Sequence, residues 1–342
     1  MVEALFLKKE PGGITKVETI RLRMPLVPSG LSMSEERYRV YGQTLKTAED
    51  FDGLLPLSQN RETLLYEIVR VAPDWLWEDE KTRCCDSQRS GMLSAYRLDF
   101  ADIGTYNITP KSIVCYPRRD IDLITLKNDL LGNAFSIWFE LQGIFALHAS
   151  AIVLNQHAFG FISNSGNGKS TLAAALLQAG CALLTDDILP IQDMSCSFVA
   201  LPGYPRVRLW ENEAQFFLGH FQDLAPVHPK IAKRWVPVGV GQWGAFCDNP
   251  QPLARLYLPE RRDPASDDYR VTITPMSPRD ALIELVRHSF AALTVEAIGL
   301  HKRRLDALGR LASQIPMRRI IYPSGFDYLP RVSAAIVEDF ET

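Results

Sequence analysis

The 342-residue sequence lacks the cysteine patterns that zinc sites and dithiol redox motifs use. Its six cysteines, at 84, 85, 115, 181, 196 and 247, contain no C-x-x-C pair and no zinc-like spacing. The adjacent Cys84 and Cys85 could form only a strained vicinal disulfide. We therefore expect reduced, structural thiols, which are typical of a cytoplasmic protein.

The sequence also lacks a long uninterrupted apolar run and a strong excess of charge. The most apolar stretch, residues 130–162, is interrupted by Glu140, Gln142, His148, Asn155 and Gln156. The first residues carry Glu3 and no long apolar core, so we predict no signal peptide. With a formal net charge of −3, neither nucleic acid nor a membrane surface is an expected partner.

The composition, 46% hydrophobic and 23% charged, is that of an ordinary globular protein with one large or two modest domains. Glycine and proline punctuate residues 1–35, which predicts an irregular arm. Short β-like runs separated by turn residues follow, at 38–41, 94–100 and 112–116. We predict a β-rich N-terminal module over 1–117 and a second domain over 118–342.

Apolar periodicity in the second part predicts an alternation of helices and strands. A helix is predicted over 120–143, ending at Gly143, and is followed by strands at 144–154 and 157–162, a helix at 170–179 and a strand at 181–185. The pattern between 211 and 268 is weak, which suits either a substrate-facing lid or structural loops. Helices at 279–287, at 300–313 and from 329, with a strand at 317–322, complete the prediction.

The strongest motif is the segment 159–172, in which an apolar strand enters a glycine-rich loop ending in GKST. Lys169 can reach the β- and γ-phosphates of a nucleotide, and the Ser170 hydroxyl can bind Mg²⁺. The following helix adds its positive N-terminal end. Ser163 stands where the usual motif begins with glycine. The nucleotide-binding residues predicted from this motif are Ser165, Gly166, Asn167, Gly168, Lys169, Ser170 and Thr171.

Two adjacent carboxylates, Asp186 and Asp187, follow the next predicted strand. A carboxylate at a strand end beside a phosphate loop can hold the metal, and a second can accept the proton of an attacking hydroxyl. A plain Asp-Asp turn is the alternative. His148, in the strand before the loop, is either a buried core histidine or a third member of this site.

These residues carry a resemblance. His148-Ala-Ser-Ala-Ile-Val, Asn164-Ser-Gly-Asn-Gly-Lys-Ser170 and Leu184-Thr-Asp-Asp187, in this order, resemble the catalytic core of the HPr kinase/phosphorylase family. The resemblance covers about residues 140–190. It implies a fold similar to phosphoenolpyruvate carboxykinase and an ATP·Mg²⁺ site. By resemblance, Lys169 holds the phosphates and Ser170 the metal, and Asp187 is a metal ligand or its support. Asp186 is the base toward a serine hydroxyl, and His148 is the partner of that base.

The family's downstream Arg-Gly-x-Gly motif is not visible, and this chain has LPGYPRVRLW at 201–210 instead. The whole pattern looks more like the HPr-kinase-like proteins that accompany ribosomally made peptides, including lasso-peptide kinases that phosphorylate a C-terminal serine. Arg206 and Arg208 alternate along a strand-like run, so they share one face that either meets phosphate or a peptide carboxylate or is solvated surface. Lys233 and Arg234 either stabilise charge at the γ-phosphate or are solvated surface residues.

The sequence therefore predicts an α/β P-loop kinase domain of the HPr kinase/phosphoenolpyruvate carboxykinase type behind a β-rich module. It would transfer the γ-phosphate of ATP, with Mg²⁺ as cofactor, to a serine of a peptide or small protein. The alternatives are a kinase for a small hydroxylated metabolite and a non-catalytic nucleotide-dependent binding protein in peptide maturation. The residues leave ATP and GTP equally open, and the resemblance allows a homo-oligomer.

Overall fold

The protein is described by a computed structural model. Residues 103–262 and 269–342 are described in full; before them, the backbone is described over the strands given below and at Tyr41, with side chains at 37–41, 43–47, 96, 98 and 100. The chain forms two compact units. The first contains residues 1–39, 43–143 and 291–303, and the second contains residues 40–42, 144–290 and 304–342.

Ten strands in the described part of the first 117 residues form one mixed sheet, in the order β2-β1-β7-β8-β9-β10-β6-β4-β3-β5. They are β1 (Val2–Lys9), β2 (Thr15–Leu22), β3 (Glu36–Val40), β4 (Gln43–Thr47), β5 (Leu55–Pro56), β6 (Thr63–Ile68), β7 (Cys84–Ser90), β8 (Leu93–Phe100), β9 (Gly104–Ile108) and β10 (Ser112–Pro117). The prediction of an irregular arm was wrong for residues 2–9 and 15–22, because β1 and β2 pair antiparallel along their whole lengths. The other residues of the predicted arm lie outside the described residues. The pair Cys84 and Cys85 lies outside the residues with described side chains.

The helical segment after β10 consists of α1 (Leu123–Asp129), a π-helical turn (Leu130–Ala134) and α2 (Phe135–Gln142). Gly143, with φ of 80°, ends it as predicted. The segment belongs to the first unit, where the Trp138 indole N–H donates to the Pro110 carbonyl at 3.1 Å. The domain boundary at 117/118 stays a prediction; in the structure this segment groups with the strands before it.

From residue 144 onward the chain alternates strands and helices. They are β11 (Ile144–Leu154), β12 (His157–Ile162), α3 (Lys169–Gln178), β13 (Ala182–Thr185), β14 (Ile188–Asp193), β15 (Phe198–Ala200), β16 (Arg206–Trp210), α4 (Glu211–Leu218), β17 (Pro226–His228), β18 (Ile231–Pro237), β19 (Ala245–Phe246), β20 (Gln251–Arg262), β21 (Thr272–Pro275), α5 (Pro278–Arg287), α6 (Ala292–Ala297), α7 (His301–Gln314), β22 (Met317–Pro323) and α8 (Leu329–Glu341). A 3-10 turn, Phe326–Tyr328, precedes α8. The predicted elements outside 211–268 are confirmed within a few residues. The described part of the weakly patterned segment, residues 211–262, contains α4 and four strands, including the long β20.

The second unit is a mixed α/β structure. Nine described strands form a mixed sheet in the order β19-β13-β11-β14-β15-β20-β22-β21, with β12 pairing β11 and β20, and β16-β18-β17 form a separate small sheet. Within the part of the chain that the structure describes, no helix has both the length and the apolar character needed to cross a membrane.

Strand register brings the two strongest sequence motifs to one edge. β11 pairs antiparallel with β12, with Ala149 opposite Ile162, and also with β13, with Ala151 opposite Thr185. β12 and β13 therefore run parallel to each other and end beside the same stretch of β11. The predicted phosphate loop after Ile162 and the aspartates after Thr185 consequently lie at the same edge of the sheet.

Side chains of β12 alternate between two hydrophobic cores, as expected for a strand buried on both faces. Phe159 and Phe161 belong to a core with α3 and α8. Ala158 and Ile162 belong to a second core with α5 and α7. Packing on both faces fixes the strand that leads into the loop, and so fixes where the loop begins.

Candidate active site

The loop between β12 and α3 contains the segment that the sequence predicts to bind phosphate. Gly166 and Gly168 both have φ of 86°, a left-handed conformation that glycine adopts without strain. The Lys169 side chain is buried, and its ammonium donates to the carbonyls of Ser163 at 2.7 Å and Asn164 at 3.3 Å. Burial lowers the pKa of Lys169 to about 8, although the two aspartates oppose the shift.

Ser163, at the position where the usual motif has glycine, fits this loop. It does not belong to the residues with positive φ, so its backbone needs no glycine. The residue is buried, and its carbonyl accepts a hydrogen bond from Lys169. The loop geometry therefore tolerates a side chain at its first position.

Asp186 is the partner of the loop serine. Its Oδ1 accepts hydrogen bonds from the hydroxyls of Ser170 at 2.9 Å and Ser150 at 2.5 Å. Its Oδ2 accepts from the backbone N–H of Arg208 at 2.8 Å. The residue is only 4% exposed, so both oxygens are committed to protein donors in a nearly closed position.

Asp187 faces a different environment. Its Oδ2 accepts from Arg208 Nη1 at 2.6 Å, and its Oδ1 lies 3.6 Å from His148 Nδ1. Burial would raise the pKa of Asp187, but Arg208 and then His148 outweigh it, so the pKa lies below its usual value. Its φ of 77° is strained for a non-glycine residue, a feature that collects at functional sites.

His148, on β11, lies close to Asp187. This position agrees with one of the two alternatives that the sequence left open for His148. Its backbone N–H donates to the carbonyl of His288 at 2.8 Å, and its ring lies 6.0 Å from that of Phe290. Burial lowers the pKa of His148, and the nearby Asp187 only partly opposes this. The imidazole is therefore neutral at neutral pH.

Arg208 contacts both aspartates and two aromatic residues, although its buried Nε has no hydrogen-bond partner among the described residues. Besides its bonds to the two aspartates, its Nη2 donates to the Tyr204 hydroxyl at 3.2 Å, and its guanidinium lies 4.7 Å from the centre of the Trp235 ring. Tyr204 in turn packs edge-on against Tyr41, at 5.8 Å between ring centres. These contacts favour a role for Arg208 in positioning Asp187 rather than in meeting a substrate.

The other predicted cations take different places. Arg206 shares the face of Arg208, as its alternation predicted, and lies 5.8 Å from the Trp235 ring centre. Arg234 pairs with Glu211 at 2.6 Å. Lys233 lies over the Trp210 ring at 5.1 Å, and its charge acts on both Lys169 and Asp187. Of the pair at 233–234, only the lysine is therefore directed toward the candidate site.

Several residues of the site were not predicted. Ser150 lies two residues after His148 on β11, and that alternation was a usable signal for a shared face. Arg261 donates to the Gly166 carbonyl, and Thr171 donates to Glu213 Oε1 at 2.5 Å. No local pattern marks Arg261 or Glu213, because each lies more than 40 residues from its loop partner.

A cavity of about 430 Å³ opens beside the loop. It is lined by Gly166, Gly168 and Thr171, and by aromatic side chains that include Trp210, Tyr322 and Phe326. His148 and the two aspartates are not among the residues that line it. The loop therefore separates an aromatic cavity from the cluster of charged residues.

Comparison with known proteins gives little more. No protein-family model matches the chain, and no curated protein matches it. Among solved structures, the chain is similar to the HPr(Ser) kinase/phosphatase from Coxiella burnetii, at 14% identity and a TM-score of 0.29, over 57% of this chain and 95% of that chain. At this level the likeness carries no argument about activity.

Proposed function

We propose that the protein is a phosphotransferase that moves the γ-phosphate of a nucleoside triphosphate to a hydroxyl group. One observation supports the proposal above all. The loop with Lys169 and Ser170 lies beside Asp186, and Asp187, which lies next to His148, follows Asp186 directly. Phosphoryl transfer needs a cradle for the phosphates, a carboxylate near the metal position and a group that receives the hydroxyl proton. The geometry of this site supports all three.

Mg²⁺ is the expected cofactor, and the residues present fit it. Ser170 and Asp186 offer hard oxygen ligands that lie 2.9 Å apart. Mg²⁺ in such sites binds through one or two carboxylates together with substrate phosphates. Bound there, the ion would neutralise charge on the phosphate oxygens. The described ranges contain no group of three or more His, Cys, Asp and Glu side chains that could hold a metal by themselves, so the substrate phosphates would have to complete the coordination of Mg²⁺.

The contacts favour assigning the two aspartates the other way round from the sequence resemblance. Asp186 is closed in and bonded to the loop serine, which suits the metal position. Asp187 keeps 21% of its side chain exposed, so an acceptor can reach it. In our proposal Asp187 takes the hydroxyl proton, the hydroxyl oxygen bonds to the γ-phosphorus, and the bond to the bridging oxygen of the nucleoside diphosphate breaks.

We further propose that the acceptor is a serine hydroxyl of a ribosomally made precursor peptide, and that the donor is ATP. The sequence resemblance to lasso-peptide kinases supports the acceptor. Arg208, which could have bound a peptide carboxylate, is committed to Asp187. Acceptor recognition would therefore rest on other residues, of which Arg206 on the same strand is the first candidate.

The proposal is tested by intact-mass analysis after incubation with ATP and Mg²⁺. The parallel samples contain a serine-terminated precursor peptide, HPr, a mixture of small hydroxylated metabolites, or no acceptor. We expect one added phosphate on the peptide alone. Lys169→Ala should abolish transfer, and Lys230→Ala, at an exposed lysine, should not affect it.

Transfer to the metabolites alone would replace the peptide with a small acceptor and keep the phosphotransferase. ATP binding without transfer to any acceptor would overturn the proposed activity. Transfer that persists in Lys169→Ala would contradict the role of the loop.

A further inference from the structure

We propose that the cavity beside the phosphate loop binds the nucleoside part of the phosphate donor, with the base held mainly by stacking on aromatic side chains. This inference rests on the proposed function and adds the place and the chemistry of nucleoside recognition. The volume of the cavity, about 430 Å³, lies within the range of small-molecule sites, roughly 300–1,000 Å³.

The cavity and the phosphate cradle share one loop. Gly166 and Gly168 line the cavity, and Lys169, the next residue, is the phosphate-binding lysine. The Tyr322 hydroxyl of the cavity wall lies 3.0 Å from where a Cβ at position 168 would stand. A ligand bound along this loop therefore meets the cavity wall at the same glycines that cradle its phosphates.

The charges on this loop indicate which end of the ligand lies where. Lys169, Ser170 and Asp186 are on the side of the charged cluster, where the γ-phosphate must meet the acceptor. The cavity lining contains neither aspartate nor His148. The part of a nucleotide that remains for the cavity is thus the part without phosphate, namely the sugar and base.

The aromatic walls suit a nucleobase. Phe326 stacks on Phe216, with ring centres 4.7 Å apart and planes at 19°, so a neighbour fixes the orientation of its ring. Trp210 is 39% exposed and carries Lys233 over its ring. Exposed aromatic faces of this kind stack on bases with little dependence on the base.

The polar groups of the wall mostly bind one another. Thr171 donates to Glu213 at 2.5 Å, and the second oxygen of Glu213 accepts from the Trp210 backbone N–H at 2.9 Å. Arg261 donates to the Gly166 carbonyl, which places a positive charge where the loop meets the cavity. This arrangement leaves stacking as the main source of affinity for the base.

The test compares ATP with inorganic tripolyphosphate, which has the phosphates and no nucleoside. Calorimetry on Phe326→Leu and Trp210→Ala should show ATP binding weakened about tenfold or more. Tripolyphosphate binding should change by less than about twofold in the same variants, because the phosphate cradle is intact. Phe326→Tyr, which keeps the ring, should retain ATP affinity, and Phe221→Leu, outside the cavity, is the matched control.

Photolabelling of the wild-type chain with 8-azido-ATP gives a readout that needs no variant. We expect label on peptides that contain Trp210 or residues 322–329. Label elsewhere, or unchanged ATP affinity in both cavity variants, would overturn the inference and leave the phosphotransferase standing. If the wild-type chain binds neither ATP nor tripolyphosphate, the proposed function fails, and the inference fails with it.

Discussion

The two sides of the phosphate loop are built from opposite kinds of contact. On one side lies the charged cluster of His148, Asp186, Asp187 and Arg208, in which each carboxylate meets a named donor. On the other side lies the aromatic cavity, where rings such as Trp210 are partly open. Under the proposed function, the charged cluster carries out the chemistry and the aromatic cavity supplies affinity for the nucleoside. Substitutions should therefore separate turnover from binding.

The largest effect is expected from Asp187→Asn. Removing a general base typically costs about 10²–10⁴-fold in rate, and we expect a loss of kcat in this range. ATP affinity should change little, because the cavity and the hydrogen bonds of Lys169 do not involve Asp187. Single-turnover transfer and ATP calorimetry measure the two quantities. Asp223→Asn, at an exposed aspartate, is the control. If Asp187→Asn binds ATP weakly but keeps its kcat, the charged cluster contributes to affinity and not to turnover, which would contradict the proposed roles.

Arg208→Met should show how much stability the charged cluster contributes. Breaking a buried pair typically costs about 3–5 kcal/mol, and partial exposure places the expected loss near the lower end. The pKa of Asp187 is lowered in the fold, so this contribution is present above about pH 4 and fades as the pH falls through the folded pKa. Urea unfolding at pH 7 and at acid pH measures it.

The control for that experiment is Arg319→Met, which removes the partner of Glu260 in a pair whose side chains are 39% and 40% exposed. A surface pair typically contributes about 0–1 kcal/mol, so this variant should be close to wild type. Equal losses in the two variants would show that Arg208 has no special role.

Nucleotide binding should take up a proton at Lys169. Its pKa of about 8 means that the free protein has largely lost this proton at pH 8.5, and phosphate binding restores the charge. We expect uptake of a substantial fraction of a proton at pH 8.5 and of much less at pH 7. Calorimetry in buffers of different ionisation enthalpy measures it. Phe326→Leu should bind more weakly with the same uptake; a changed uptake would show that the two sides are coupled.

The smallest effect is expected from Phe216→Ala. Phe216 supports Phe326 by stacking but does not line the cavity. Loss of one aromatic pair, about 0.5–1.5 kcal/mol at most, should weaken ATP binding by about two- to tenfold. The kcat measured at saturating ATP should stay at the wild-type value. A fall in kcat would mean that the cavity wall also positions the phosphates.

The sequence predicted the parts of the site that are local in the chain. A strand, a glycine-rich loop and a helix follow one another within residues 157–178, and the structure has them there. The next strand, β13, ends at Thr185, directly before the two aspartates. Strand pairing with β11 then brings His148 to Asp187. Each of these elements follows the previous one closely in the sequence, which is why the local sequence pattern was enough to predict them. The chemical roles of these residues stay predictions.

The remaining parts depend on contacts between distant residues. The cavity joins Trp210 and Phe326, more than 100 positions apart, and no periodicity links them. The sequence also did not predict that Arg208 binds Asp187. Alternation along the strand predicted the face on which Arg208 lies, but the strained backbone at Asp187 determines the direction of its carboxylate. The segment 211–268 has a weak local pattern because three of its described strands pair with strands outside it: β18 with β16, β19 with β13, and β20 with β12 and β22.

One small segment constrains how the chain can be divided. Residues 40–42 belong to the second unit although they lie far before it in sequence, and Tyr41 is fully buried there. Its backbone N–H donates to the Gly203 carbonyl at 3.2 Å, and its ring packs on Tyr204, the residue that binds Arg208. A truncated chain beginning at 118 would lack this tyrosine. The unit that holds the aspartates is thus discontinuous in sequence. A truncated chain that begins between residues 43 and 144 would lack part of this unit.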